Sequence, residues 1–518
     1  MLVSDIVRRN AEFFGDCEAV VVPGSRVTRW ADLDRRTNQL AHAFADLGIA
    51  KGDRVAMFAP NCGEYIDFFF ACAKAGTIGA ATNIRLSGKE LVHYLRYVEP
   101  AAIIVHADVA GQAREWLGEL GPGTRVVGAG DGHGFDTDLE DRIAAAADID
   151  PGVAVDDTDI YQLGATSGTT GVPKGAILTH RNALAAMMNW LGEMPIREGG
   201  TNLQNIPLFF NPGGPAGLHP ALMKGGRTVL FPSFAPRTFL AAIPEYGVTH
   251  SILVPTMIQM VLAEPDCDSF DLSTLQAVST GGSPLPRAML ERARQVFGDV
   301  FFPQYGMAET YSCGLMLRPE NQFTSGTEAQ VRHLGSAGKP TLLMSVRIVG
   351  DDGADVPHDN ETPGEIWMRG DTVSPGYFNM PEETEVSRSD GWFKSGDIAV
   401  VDDEGFVTIV DRAKDMIITG GINVFSSEVE SALIEHPDVQ SVAVIGIPHE
   451  QWGEAIHALV VPAPGRSIDE DEVLRFAADR LTRYKRPRSI EVVDTLPLSA
   501  TGKVLKKELR ARYVAPAR

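Results

Sequence analysis

Between residues 28 and 105 the chain alternates helical stretches (ADLDRRTNQLAHAFADLGI, GEYIDFFFACAKAG, SGKELVHYLRYV) with short apolar runs (RVAMFA, AAIIV). Strands that are each followed by a helix pair in parallel and need cover on their faces, so this rhythm implies layered α/β structure. A second block of the same kind runs over 160–304, with RTVLF, HSILV and LQAVST as strands and PRTFLAAIPEYG and PRAMLERARQVFG as helices. Strand-rich sequence (SVRIV, GEIWMR, FVTIV) fills 335–410, and after Asp411 the pattern becomes a compact α+β unit. At 518 residues the chain exceeds what one hydrophobic core supports. The expected fold is therefore α/β, with a large N-terminal domain (1–410) of layered α/β subdomains plus a β-rich subdomain, and a small C-terminal α+β domain (411–518). The Gly- and Asp-rich stretch 128–157 is expected to run over the surface, without chemistry of its own.

A formal net charge of −22 repels nucleic-acid phosphates and anionic headgroups, so any polyanionic ligand must meet locally placed cations. No nucleic acid is expected as a partner. No run approaches the roughly 18 apolar residues of a membrane span, and no secretory leader is read at the N-terminus, so a cytoplasmic protein is expected. Cys17, Cys62, Cys72, Cys267 and Cys313 show no paired metal-type spacing and read as free thiols, most of them buried.

The segment IYQLGATSGTTGVPKGAILTH concentrates hydroxyl groups and glycines between an apolar strand and a helix expected from Arg181 onward. Backbone amides freed by Gly168 and Gly171, the hydroxyls of Thr166, Ser167, Thr169 and Thr170, and the charge of Lys174 suit a phosphate cradle. It lacks the Gly-Lys-Ser/Thr ending of a P-loop, and by composition alone it reads equally as a flexible Ser/Thr/Gly loop.

TSGTTGVPKG resembles the phosphate-binding signature of the adenylate-forming superfamily, which includes AMP-forming acyl-CoA synthetases, and further motifs follow in the family's order. GGSPLP (281–286) resembles the adenine-side loop, and FPQYGMAET (302–310) the motif after it. The resemblance assigns Gly282, Ser283, Pro284, Gln304, Tyr305 and Gly306 to the adenine and ribose. It places Tyr305 against the ring and has Glu309 hold magnesium on the ATP phosphates, tasks suited to an aromatic face and a hard carboxylate. Ala308 stands where the family usually has threonine, so a hydroxyl contact is lost unless Thr310 replaces it. SDGWFKSGDIAVVDDEGFVTIVDRAKDMIITGGINV resembles the ribose-binding and hinge region: Asp397 for the ribose hydroxyls, Arg412 beside it, Lys414 at the hinge of a mobile C-terminal domain. LPLSATGKVLKKELR resembles the final motif, whose glycine-adjacent lysine, here Lys503, enters the site during adenylation. Gly420, Gly421, Trp452, Tyr484, Arg486 and Arg488 match positions that meet coenzyme A in some relatives.

The resemblance implies ATP-dependent activation of a carboxylic acid to acyl-AMP, then transfer to the thiol of coenzyme A, with ATP, magnesium and coenzyme A as the required small molecules. The acyl pocket is expected from Phe209, Phe210, Asn211, Gly213, Gly214, Thr256, Gly281 and Met307. It offers no carboxylate to a substrate amine, which disfavours amino acids, and its glycines and phenylalanines suit a bulky apolar acid: polycyclic, aryl or fatty. Two other readings stay open: an enzyme that stops at acyl-AMP or hands it to a carrier protein, hinted at by Ser426 in place of a frequent proline, and a non-catalytic acyl-nucleotide-binding protein.

Overall fold

The structure is a computed structural model that describes residues 1–166, 174–210, 214–283, 285–498 and 504–513, without the side chains of Thr166, Pro215 and Ala216. It divides into two compact units, Met1–Val346 with Met368–Phe393, and Arg347–Trp367 with Lys394–Arg518. The segments 347–367 and 394–410, read from sequence as part of the large domain, thus cluster with the C-terminal residues.

The first unit holds two large sheets. One orders its strands Arg125–Ala129, Ala102–His106, Arg54–Phe58, Ile78–Ala81, Ile160–Thr166 and Lys174–Thr179; all neighbours are parallel except the last pair. The chain leaves Arg54–Phe58 for Ile78–Ala81 on one side, then crosses to Ala102–His106 on the other, so the direction of winding reverses between Arg54–Phe58 and Ala102–His106. The second sheet runs parallel from Phe301–Tyr305 through Ala277–Thr280, His250–Ile252, Thr201–Gln204 and Arg227–Leu230 to Glu18–Val22, with antiparallel strands at both ends.

Helix Gly63–Ala75 (GEYIDFFFACAKA) is apolar all round because it is buried all round. Phe68, Phe69 and Phe70 share one core with Val55 and Met57 of the first sheet and Val20 and Leu230 of the second. Its two buried charges are each paired, Lys74 with Asp34 at 2.6 Å and Asp67 with Arg26 at 2.9 Å and Arg36 at 3.0 Å, as burial of an ion requires.

The helix expected from Arg181 onward is present: it starts at His180 behind a Thr179–Asn182 capping box, and strand Lys174–Thr179, antiparallel to Ile160–Thr166, leads into it. One expectation needs correction. Stretch 128–157 is not simply a surface run. The ring of His133 fills the space a Cβ on Gly128 would occupy, Nε2 of His133 lies 2.8 Å from Asp138, and His133 is buried.

In the second unit the Asp397–Val401 part of strand Trp392–Val401 pairs antiparallel with Val407–Arg412. A further sheet is built on the hairpin Val439–His449 and Gly453–Pro462, which helices Ser426–Leu433 and Glu470–Arg480 cover through Val429, Leu433, Val473 and Ala477. Among the described residues no helix is long and apolar enough to cross a membrane.

Candidate active site

Strand Phe301–Tyr305 ends the parallel run of its sheet, and the chain beyond it folds back tightly. Gly306 is required there, since a Cβ would fall 2.5 Å from the backbone of Ser312. Gly281 meets the same limit, 2.8 Å from the carbonyl oxygen of Gln304, so the two motifs GGSPLP and FPQYGMAET touch main chain to main chain. The Gln304 side-chain oxygen is buried without a hydrogen-bond partner among the described residues, an acceptor suited to an amino group such as that of adenine. Tyr305 accepts at its carbonyl from the Gly314 amide (2.9 Å), which fixes the strand end. Gly282 has φ +84°, and Gly282 and Ser283 are exposed.

Glu309 sits in a single 3-10 turn, Ala308–Thr310, capped by the Thr310 hydroxyl on the Met307 amide (3.1 Å). Thr310 is fully buried and turned to Met307, so it does not stand in for the hydroxyl that Ala308 lacks. Tyr311 and Ser312 follow at φ +53° and +66°, left-handed backbone that non-glycine residues adopt only where neighbours hold them. The Tyr377 hydroxyl donates to Glu309 Oε1 at 2.7 Å, and the Ser374 amide donates to the Glu309 carbonyl at 2.7 Å. Lys174 lies over the face of the same tyrosine, its Nζ 5.0 Å from the ring centroid. Burial, then the Glu309 charge, hold the Tyr377 phenol far above its ordinary range, so it remains a donor. Segment 374–378 lies along strand Lys174–Thr179 through Ile177 N to Gly376 O (2.8 Å) and Phe378 N to Gly175 O (2.9 Å). Tyr377 was missed by the sequence reading: 68 residues separate it from Glu309, and no spacing signals the pair.

Phe209 and Phe210 pack edge to face, with centroids 4.7 Å apart. Gly214 closes the turn behind them, where a Cβ would lie 2.8 Å from the Leu208 carbonyl. Thr256 is exposed in the first turn of helix Pro255–Leu262, and Met307 is half-buried. Ser167, Gly168, Thr169, Thr170, Gly171, Asn211, Gly213, Pro284 and Lys503 lie outside the described residues, as does the side chain of Thr166.

In the second unit Asp397 and Arg412 face each other across paired strands, Nε to Oδ1 at 3.0 Å, with Asp397 buried and Arg412 partly exposed. Ala413 donates its amide to the Gly396 carbonyl (2.9 Å), placing the exposed Lys414 one residue beyond that pairing. Gly420 and Gly421 form a two-residue hairpin at φ +59° and +81°, and nothing lies within 4 Å of a Cβ on either. Here backbone conformation demands glycine, before any question of room for a ligand. Gly420 donates to the Trp452 carbonyl (2.8 Å), and the Arg488 guanidinium stacks 3.8 Å from the centroid of the Trp452 ring. Tyr484 is exposed. The Arg486 guanidinium donates to Leu481 O (2.9 Å) and Ala478 O (2.7 Å), closing the end of helix Glu470–Arg480.

Ser426 is fully buried, donating to Asp411 at 2.9 Å and accepting from Lys506 at 2.7 Å; Lys506 also pairs with Glu430 at 2.6 Å. This residue ties a helix start to the C-terminal segment. Lys506 is a paired cation and not a free tail charge.

The model of the AMP-binding enzyme family matches residues 7–378, and that of the AMP-binding enzyme C-terminal domain matches 428–503. The chain belongs to the AMP-binding enzyme family. Among its relatives, a feruloyl-CoA synthase of Amycolatopsis sp is 38% identical over 507 residues, covering 98% of each chain. The long-chain-fatty-acid–CoA ligase FadD13 of Mycobacterium tuberculosis is 32% identical over 527 residues, again 98% of each. Among solved structures, ATP-bound MatB from Rhodopseudomonas palustris superposes with a TM-score of 0.87 at 27% identity, covering 99% of each chain. An AMP-binding enzyme must manage a nucleotide, its phosphates and an acid in turn. The described residues supply, in separate places, a tyrosine-held carboxylate, an aspartate–arginine pair, an aromatic pair and a tryptophan–arginine stack.

Proposed function

We propose that this chain is an AMP-forming acyl-CoA synthetase acting on a bulky apolar carboxylic acid. The observation that carries the reading is Glu309, an acid held at one oxygen by Tyr377, over whose ring lies Lys174, the lysine of the sequence that resembles the family's phosphate signature. The hydrogen bond to Oε1 leaves the other carboxylate oxygen to a hard cation, so the residue suits magnesium. When bound, magnesium supplies charge neutralisation on the phosphates.

In the first half-reaction a substrate carboxylate oxygen bonds to the α-phosphorus of ATP, and the bond to the bridging oxygen breaks to release pyrophosphate. Two anions must meet, so the protein contributes position and positive charge. Lys174 and Lys503 are the cations assigned to that task, Tyr305 and Gln304 hold the adenine, and Asp397 with Arg412 takes the ribose hydroxyls. In the second half-reaction the coenzyme A thiolate bonds to the acyl carbon and AMP leaves. For this step the family resemblance assigns Lys414 to a hinge, and Gly420, Gly421, Trp452 and Arg488 to coenzyme A.

The acid rests against Phe209, Phe210, Gly214, Gly281 and Met307. A wall of aromatic rings and bare backbone offers dispersion contacts and nothing to pair with a charged amine. The relatives named for ferulate and for long-chain fatty acids also take acids with large carbon frames.

The test is pyrophosphate release with ATP and magnesium across acetate, fatty, aryl and polycyclic acids, with acyl-CoA followed by mass spectrometry when coenzyme A is added. Turnover of a bulky acid, thioester formation, and loss of about 10²-fold or more of adenylation in Lys503→Ala are expected. Efficient turnover of acetate alone overturns the substrate class, and a product that stays at acyl-AMP overturns the acceptor.

A further inference from the structure

Strands Arg54–Phe58 and Ala102–His106 are neighbours, in register at Phe58 and Val105, and they flank the point where the winding of their sheet reverses. At such a reversal the two crossover connections go to opposite sides, and an open α/β sheet has its crevice there, beyond the carboxyl ends of the strands. Open α/β sheets bind their ligands in such crevices. Three side chains converge at this one. Cys62 and Glu64 begin helix Gly63–Ala75, and His106 ends its strand; each offers a ligand atom, and the three atoms lie within 4.8 Å of one another. None of them belongs to the set assigned to ATP, acid or coenzyme A.

We propose that Cys62, Glu64 and His106 form a binding site for a divalent cation of zinc type. Thiolate, imidazole and carboxylate are the three ligand classes zinc accepts, and a mixed set of three leaves a fourth position for water or an exogenous ligand. Ligand atoms around a tetrahedral zinc stand about 3.5 Å apart, so small rotamer adjustments close the cluster. Cys62 is buried while Glu64 and His106 are partly exposed, which gives an ion a way in. The surrounding charges agree with this role. The Asp108 amide donates to His106 Nδ1 at 3.2 Å with its carboxylate 3.4 Å away, so one ring nitrogen is held by the chain and ligation through Nε2 moves the ring proton to Nδ1, where the Asp108 carboxylate can accept it. Arg26 passes beside Gly63 and pairs with Asp67 at 2.9 Å, while its charge also reaches Glu64 and Cys62, so a bound cation competes with it for the Glu64 carboxylate. On binding, the Cys62 thiol loses its proton to solvent, and the cation replaces that proton between sulfur and the Glu64 carboxylate. Sequence spacing hid the cluster, because Cys62 has no nearby cysteine or histidine and His106 arrives only through the sheet.

The inference is independent of the proposed reaction, and its test needs no substrate. Full-length protein is stripped with a chelator and titrated with Co²⁺, then Zn²⁺, without nucleotide. Stoichiometric uptake with a sulfur-to-cobalt charge-transfer band, displaced by Zn²⁺, is expected. The band should vanish in Cys62→Ser and persist in Cys17→Ser, while Glu64→Gln and His106→Gln should weaken affinity at least tenfold. Should Cys62→Ser fail to fold, the other two variants carry the test. Absence of the band in folded wild-type protein, or unchanged affinity in both Glu64→Gln and His106→Gln, overturns the proposal.

Discussion

Tyr377 donates its phenolic hydrogen to Glu309 at 2.7 Å while Lys174 lies over its ring, so one side chain links an acid and a cation from distant parts of the sequence. A hydrogen bond to a charged acceptor contributes more than a neutral one. Tyr377→Phe keeps the ring and the cation–π contact and loses only the bond. It should reduce kcat/KM for adenylation about tenfold, or ~1.4 kcal/mol, and raise the magnesium concentration needed for half-maximal rate, with the melting temperature little changed. Unaltered magnesium dependence counts against a role for the pair.

Arg486 and Arg488 are two residues apart and do different work. Arg488→Ala removes the guanidinium stacked on Trp452 and should raise KM for coenzyme A several-fold without loss of stability. Arg486→Ala strips two helix-end carbonyls of their donor and should destabilise the protein by about 1 kcal/mol, with a smaller change in KM. Steady-state kinetics at varied coenzyme A and thermal unfolding of both variants separate the two.

At the Gly420–Gly421 turn the left-handed backbone sets the constraint. Asparagine tolerates that conformation and β-branched residues do not. Stability should therefore fall in the order Gly420, Gly420→Asn, Gly420→Val, with the last costing about 2 kcal/mol. Chemical denaturation measures it. Equal stability of Asn and Val variants would show that the turn is not held as described.

His180 and His250 are pushed down to about 4, first by burial; at His180 nearby carboxylates oppose the shift only partly. In the unfolded chain both titrate near pH 6.5. Between about pH 6.5 and 4 the unfolded state holds protons that the folded state refuses, so stability is full above that window and falls as the pH drops through it. Each group contributes a slope of up to about 1.4 kcal/mol per pH unit. Urea unfolding at pH 7.5 and pH 5 should show the loss, and His250→Leu should make it shallower; an unchanged slope contradicts the assignment.

The parallel layers were legible because helical and strand periods alternate so regularly around GEYIDFFFACAKA. The order of the glycine-rich, aromatic and aspartate motifs was legible through resemblance. Strand Lys174–Thr179 was not, since its short apolar run ahead of a capping threonine reads like the approach to a helix. Contacts set by the fold had no linear signature at all: Tyr377 on Glu309, the buried tie of Ser426 to Asp411 and Lys506, and the commitment of Arg486 to helix carbonyls. The resemblance assigned Arg486 to coenzyme A, and the fold shows its guanidinium donating to two helix-end carbonyls.

The contact between Gly281 and the Gln304 carbonyl has an evolutionary corollary. Ground made of peptide units cannot be resculpted by exchanging side chains, because any larger residue at Gly281 or Gly306 collides with main chain. In the acyl pocket proposed above, a lineage adapting to new acids keeps this floor and rewrites the flanks, so divergence in taste should collect around Phe209 and Phe210.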